Sequence, residues 1–169
     1  STNELKSRSN IHFFIRDHLS EIVTKSRLYT QQSDTTAQLK VWVYWDNDKQ
    51  ILPPIVASCL EQLQAKNPDQ EIVRLNDKTI RNHVNIPTYI YDKVFSNKTH
   101  FSDILRCALL SQYGGVWCDA TCFCAEQLSH LLPKMLEPGF FAFARNNEDT
   151  YMLSSWFMAS KPGALIPVL

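Results

Sequence analysis

Three charged residues in one stretch, Asp103, Arg106 and Asp119, have the types and spacing with which this sequence could do chemistry. Asp103 and Arg106 stand three apart in a run with helical spacing, which puts them within reach of one another. That helix reads as apolar on nearly every side. Phe101, Ile104, Leu105 and Ala108 form one face, and Cys107, Leu110 and Tyr113 lie opposite. Charges on such a helix are partly buried and need partners. Two readings follow: an internal ion pair that clamps the helix to its neighbours, or a polar clasp for a ribose or sugar hydroxyl and a phosphate. Asp119 follows the apolar run Val116-Trp117-Cys118, which predicts a strand, so its carboxylate lies at a strand end, where open α/β sheets bind ligands. There it could hold a divalent cation that bridges a diphosphate, with the oxygen donors that Mg²⁺ and Mn²⁺ take. Alone, Asp119-Ala120-Thr121 is a weak signal and more often an ordinary turn.

The elements that must position these groups alternate in type. Residues 11–29 carry apolar side chains at helical spacing, and 31–38 read as a polar loop. Residues 39–45 (LKVWVYW) are β-branched and aromatic on both faces, the pattern of a strand covered on both sides in a mainly parallel sheet. Asp46-Asn47-Asp48 reads as a turn, and Pro53-Pro54 opens a helix to about Lys66. Residues 71–75 form the next strand, Asn76-Asp77 can cap a short helix, and a further helix runs from Ile86-Pro87 to Phe95. The helix of Asp103 and Arg106 spans 100–113 and is stopped by Gly114-Gly115, which also admits a close neighbour. The strand from Val116 is expected to break near Ala120 and resume around Cys122, and 140–144 and 152–159 are two more strands. Alternation of this kind predicts an α/β domain over 39–169, preceded by an N-terminal helix and linker over 1–38. The chain stops at Leu169 among apolar residues after a turn at Lys161-Pro162-Gly163, so the domain is expected to continue beyond the C-terminus.

Composition sets limits. The 169 residues suffice for one sizeable core, and 17 basic residues against 17 acidic ones give no net field toward nucleic acid or an anionic membrane. No run reaches the roughly 20 apolar residues of a membrane span, and the N-terminus lacks a signal-peptide pattern. A cytoplasmic location, with at most peripheral membrane association, is the expectation. Cys118, Cys122 and Cys124 would share one strand face as reduced, packed thiols, since no zinc-ligand spacing accompanies them.

The run FSDILRCALLSQYGGVWCDAT resembles the signature of the capsular polysaccharide synthesis glycosyltransferases, which are related to sugar transferases with a DxD motif, including mannosyltransferases and the glucosylating clostridial toxins. The similarity extends to LKVWVYWDN, NPDQEIVRLND, IPTYI and SSWFMASKPG, and so covers most of residues 39–163. It implies a GT-A-type, Rossmann-like mixed and mainly parallel sheet flanked by helices. It also implies a nucleotide-diphosphate sugar donor, with UDP favoured, a Mn²⁺ or Mg²⁺ ion on the diphosphate, and a glycan acceptor. By motif position Asp103 is similar to the aspartate that contacts the donor's ribose and sugar, and Arg106 to the arginine on the sugar or diphosphate. Asp119 matches the first aspartate of DxD, and Thr121 stands where the second would be, as a neutral and poorer metal ligand. Trp42 resembles the tryptophan that stacks on the base, although ordinary core packing explains it as well. Ser102 and Trp117 occupy neighbouring donor-site positions. Trp156-Phe157 reads as packing beneath the site, with Trp156 able to shape the acceptor side.

Overall fold

A computed structural model describes residues 39–46, 51–147 and 150–164. The expected helix over 11–29, the loop over 31–38 and the last five residues lie outside these. Strand β1 (Val41–Tyr44) is buried along its whole length. It is followed by helix α1 (Pro54–Lys66), strand β2 (Ile72–Leu75), a single 3₁₀ turn (Ile80–Asn82) and helix α2 (Thr88–Val94). Helix α3 (Lys98–Tyr113) then leads into strand β3 (Gly115–Cys118), helix α4 (Leu128–Met135), and the strands β4 (Phe140–Asn147) and β5 (Thr150–Ser160).

The five strands form one sheet in the order β2-β1-β3-β5-β4. β1 pairs parallel with both β2 and β3, and β5 alone is reversed, antiparallel to β3 and to β4. The chain therefore leaves β1 toward one side, to β2, and returns on the other, to β3. That reversal of direction leaves a crevice at the carboxyl ends of β1 and β3.

Period-two alternation divides the side chains of each strand between two cores. Val41, Val43, Val116 and Cys118 face one side, packed with Val56, Leu60 and Leu63 of α1 and Leu128 and Leu132 of α4. Trp42, Tyr44 and Trp117 face the other, against Phe101, Leu105, Leu109 and Leu110 of α3. A strand covered on both faces must be apolar throughout, which is why 39–45 has no polar alternation.

Local signals set the boundaries. Pro54 begins α1, where its missing N–H costs nothing. Asn97 caps α3 by accepting from the His100 N–H, so this helix starts two residues earlier than its apolar spacing indicates. Three expectations need correction. The strand does not resume at Cys122: 119–122 is a turn closed by the Cys122 N–H on the Asp119 carbonyl at 2.9 Å. Helix α4 is an addition; Leu128, Leu132 and Met135 supply its apolar face, despite Pro133 within it. α3 is not apolar all round: Cys107 is exposed, and Leu110 packs with Phe101 and Leu105 instead of opposite them.

The junction of α3 and β3 depends on glycine. Gly115 has φ +100°, and a Cβ there would lie 2.3 Å from the Lys40 carbonyl oxygen of the neighbouring strand. Gly115→Ala is therefore expected to lower stability by about 3 kcal/mol in urea unfolding, and an effect near zero would contradict this packing.

Candidate functional site

A cleft of about 430 Å³ occupies the crevice between β1 and β3. Tyr44, Trp45 and Asp46 line it from the end of β1, and Asp119, Ala120 and Thr121 from the end of β3. Lys98, Ser102 and Arg106, four residues apart along α3, form a single stripe down its wall.

Arg106 is the best-held side chain of the site, only 4% exposed. Its Nε donates to the Ser102 carbonyl at 3.1 Å, one terminal nitrogen to the Ser102 hydroxyl at 2.9 Å, and the other to the Ser155 carbonyl on β5. The same group lies 3.2 Å from Asp103 Oδ1 and 3.5 Å from Asp119 Oδ1, and its carbon is 4.9 Å from the centre of the Trp117 ring. The Trp117 indole N–H donates to Asp119 Oδ1 at 2.8 Å. Burial pushes the Asp119 carboxyl up from its ordinary value, against the Trp117 hydrogen bond and the Arg106 charge. Asp103, half-exposed, also receives the Ser155 hydroxyl at 3.4 Å.

Asp103, Arg106, Asp119, Trp117 and Ser102 thus meet in one place, and Thr121 lines the same cleft from an exposed position. Asp103 lies on the far side of Arg106. It borders a neighbouring hollow of about 290 Å³ together with Ser154 and Ser155, and Arg106 is the wall common to both. Trp42 is not brought to the cleft. It lies two residues below the end of β1 and is 1% exposed. Its N–H donates to the Gly114 carbonyl at 3.0 Å, and its ring packs against Tyr113 and His83, which is the core role. Trp45 is the tryptophan of that strand which reaches the cleft wall.

Two cleft residues escaped the sequence reading. Asp46 follows β1 by two residues and Asp119 follows β3 by one, so a second carboxylate just past a strand end was available as a signal. Lys98 lies four residues before Ser102 on the stripe of Arg106, and its ammonium sits 2.5 Å from Asp77 and 3.7 Å from Asp46. Burial alone would raise the Asp77 carboxyl, but hydrogen bonds from Lys98 and from the Tyr44 hydroxyl hold it below its ordinary value.

This geometry can be set beside known proteins. The sequence profile of the capsular polysaccharide synthesis protein family matches residues 1–168. The chain belongs to that family. It is similar to the O-glycosyltransferase braB of Annulohypoxylon truncatum, 25% identical over 141 residues, which are 76% of this chain and 31% of that protein. The chain therefore spans about a third of that relative's length. The fold is similar to that of the solved structure named PaToxG Glycosyltransferase, with a TM-score of 0.50 and 16% identity over 89% of this chain and 67% of that one. The family member thus has the mixed α/β sheet of a glycosyltransferase, with its charged cluster at the crevice between β1 and β3. Among the described residues no helix is long and apolar enough to cross a membrane, and no group of three His, Cys, Asp or Glu side chains is placed to hold a metal.

Arg106 is held by fork geometry as much as by charge. Arg106→Lys keeps the cation yet loses most of these directed bonds, so it is expected to lower stability by about 2 kcal/mol in urea unfolding. A lysine variant as stable as the parent would contradict the assigned contacts.

Proposed function

We propose that this domain binds a nucleoside-diphosphate sugar, UDP-linked by resemblance, and transfers the sugar to a surface or capsular glycan acceptor on the cytoplasmic side of the membrane. The observation that carries this reading is the convergence of Asp119 and buried Arg106 on the cleft between the carboxyl ends of β1 and β3. The glycosyltransferase names of the relatives point the same way.

Breaking the bond between the anomeric carbon and the diphosphate builds negative charge on the departing phosphate oxygen. A fixed cation beside that oxygen stabilises the transition state more than the bound substrate. Arg106 supplies such a charge at low reorganisation cost, because its own hydrogen bonds already fix its orientation. Ser102 and Trp117 then act on the donor through the orientation they give Arg106 and Asp119. Asp103, across Arg106, is placed to take sugar hydroxyls from the adjoining hollow.

The cleft carries Asp46 and Asp119 against Lys98 and Arg106, so its own charges balance. A diphosphate adds roughly two negative charges, which a divalent cation would offset. Asp119, Thr121 and Asp46 are hard oxygen donors on one cleft. They fit Mn²⁺ or Mg²⁺ provided that the ion takes its remaining ligands from the diphosphate and water. When bound, the ion would supply Lewis-acid stabilisation of the leaving group. The neutral Thr121 also favours a second reading, a module that binds the nucleotide sugar without turnover.

The test is donor hydrolysis by the full-length protein with Mn²⁺ and a panel of nucleotide sugars. Asp119→Asn is expected to lower turnover by about 10²-fold or more while the circular dichroism spectrum is retained. Near-normal turnover by the folded variant would overturn the assignment. Nucleotide binding with no hydrolysis by the parent protein would establish the second reading.

A further inference from the structure

Strand β5 does not pair evenly with β4. Ala142 stands opposite Met158, and the next residue of β4, Phe143, stands opposite Ser154. Ser155, Trp156 and Phe157 fall between these two pairs and have no partner on β4 in that register. They form a long bulge, the kind of irregularity that occurs beside active sites and re-aims groups. In an even strand, successive carbonyls point to opposite neighbours within the plane of the sheet. The Trp156 carbonyl points to β3, where it accepts the Asp119 N–H at 2.8 Å. An evenly paired Ser155 carbonyl would then face β4. In the bulge it turns instead to the α3 side and accepts from Arg106. Two consecutive carbonyls of the bulge therefore hold the two groups on which the proposed chemistry depends.

The bulge is braced by aromatic rings. Trp156 stacks on Phe143 with 4.9 Å between ring centres and 10° between planes. Phe143 meets Phe141 edge-on at 5.0 Å and Phe157 at 5.9 Å. The stack joins the middle of the bulge to the residue of β4 at which regular pairing resumes. Trp156 is 43% exposed, so burial does not account for it, and among the described residues it lines neither the cleft nor the hollow beside Asp103.

We propose that Trp156 is a positioning residue for sugar transfer: its stack on Phe143 keeps the β5 bulge in the form that aims the Ser155 and Trp156 carbonyls at Arg106 and Asp119. The effect on transfer rests on the functional reading above; the effect on the 119–122 turn does not. Charged groups stabilise a transition state best when they are already oriented as its charge develops. A bound diphosphate tolerates a cation that has shifted a little, because attraction between charges falls slowly with distance. Loss of the stack is therefore felt in the chemical step more than in donor affinity. Trp156→Ala retains both carbonyls and removes only what orients them.

The test measures donor hydrolysis, which needs no glycan acceptor, and amide hydrogen exchange in the full-length protein and three variants. In Trp156→Ala, kcat is expected to fall about tenfold or more while the donor KM stays within about twofold of the parent. Trp156→Phe, whose ring can still stack, should restore most of the lost rate. Phe143→Ala removes the other half of the stack and should match Trp156→Ala, so it keeps the test open if that variant does not fold. The Asp119 amide should exchange about tenfold faster in both alanine variants, while the Val43 amide of β1 keeps its parent rate. Unchanged kcat or unchanged Asp119 exchange in a folded variant would overturn the proposal. Faster exchange throughout β1 would also overturn it, because that marks a merely structural role. A loss confined to transfer onto a glycan, with hydrolysis intact, would overturn it in favour of a contact with the acceptor. If the parent neither hydrolyses nor binds any nucleotide sugar, the functional reading fails, and Asp119 exchange still decides whether Trp156 holds the turn.

Discussion

A guanidinium taken out of water needs partners for its N–H donors, and Arg106 finds them, as three hydrogen bonds and two ion pairs, in groups from three elements. Ser102 and Asp103 come from its own helix, Asp119 from the end of β3, and the Ser155 carbonyl from β5. Satisfying one buried charge therefore fixes the angle of α3, the turn after β3 and the start of the β5 pairing together. The structural and functional readings of the Asp103–Arg106 pair are thus not alternatives. The ion pair that clamps the helix also holds a cation at the wall of the cleft.

The sheet determines where that cation is useful. β1 and β3 are parallel neighbours whose connections run to opposite sides, so no crossover covers the space beyond their carboxyl ends. Asp46 and Asp119 lie at those two ends, and the Lys98–Ser102–Arg106 stripe of α3 closes the cleft from the side. The apolar character of β1 and β3 follows from the same arrangement, because strands between two helical layers have no solvent face. Gly114 and Gly115 let α3 return to the sheet tightly enough for Arg106 to reach Asp119.

Much of this was legible in the residues. Val41 to Tyr44 could only be a doubly covered strand, and Asp103, Arg106 and Asp119 were found from their spacing, strand position and motif resemblance. For Trp42 the stacking and core readings both stayed open, because type and strand do not reveal depth. Two residues short of the strand end, an indole that finds the Gly114 carbonyl is core, while Trp45 reaches the crevice. Lys98 and Asp46 were missed because they become neighbours only when α3 crosses the end of β1. α4 was missed because Pro133 argues against a helix locally, and burial of Leu128 and Leu132 against the sheet overrides it. The turn at 119–122 looked like an interrupted strand because Cys118, Cys122 and Cys124 alternate with period two.

The family profile spans residues 1–168, and the charged residues of the cleft lie within that span. The proposed function turns on where a diphosphate binds, and a crystal structure of the full-length protein with UDP and Mn²⁺ tests that most directly. The account predicts diphosphate density between the 119–121 turn and the α3 wall, within hydrogen-bond reach of the groups around Arg106. UDP bound at another surface, or this cleft vacant at saturating nucleotide, would contradict it.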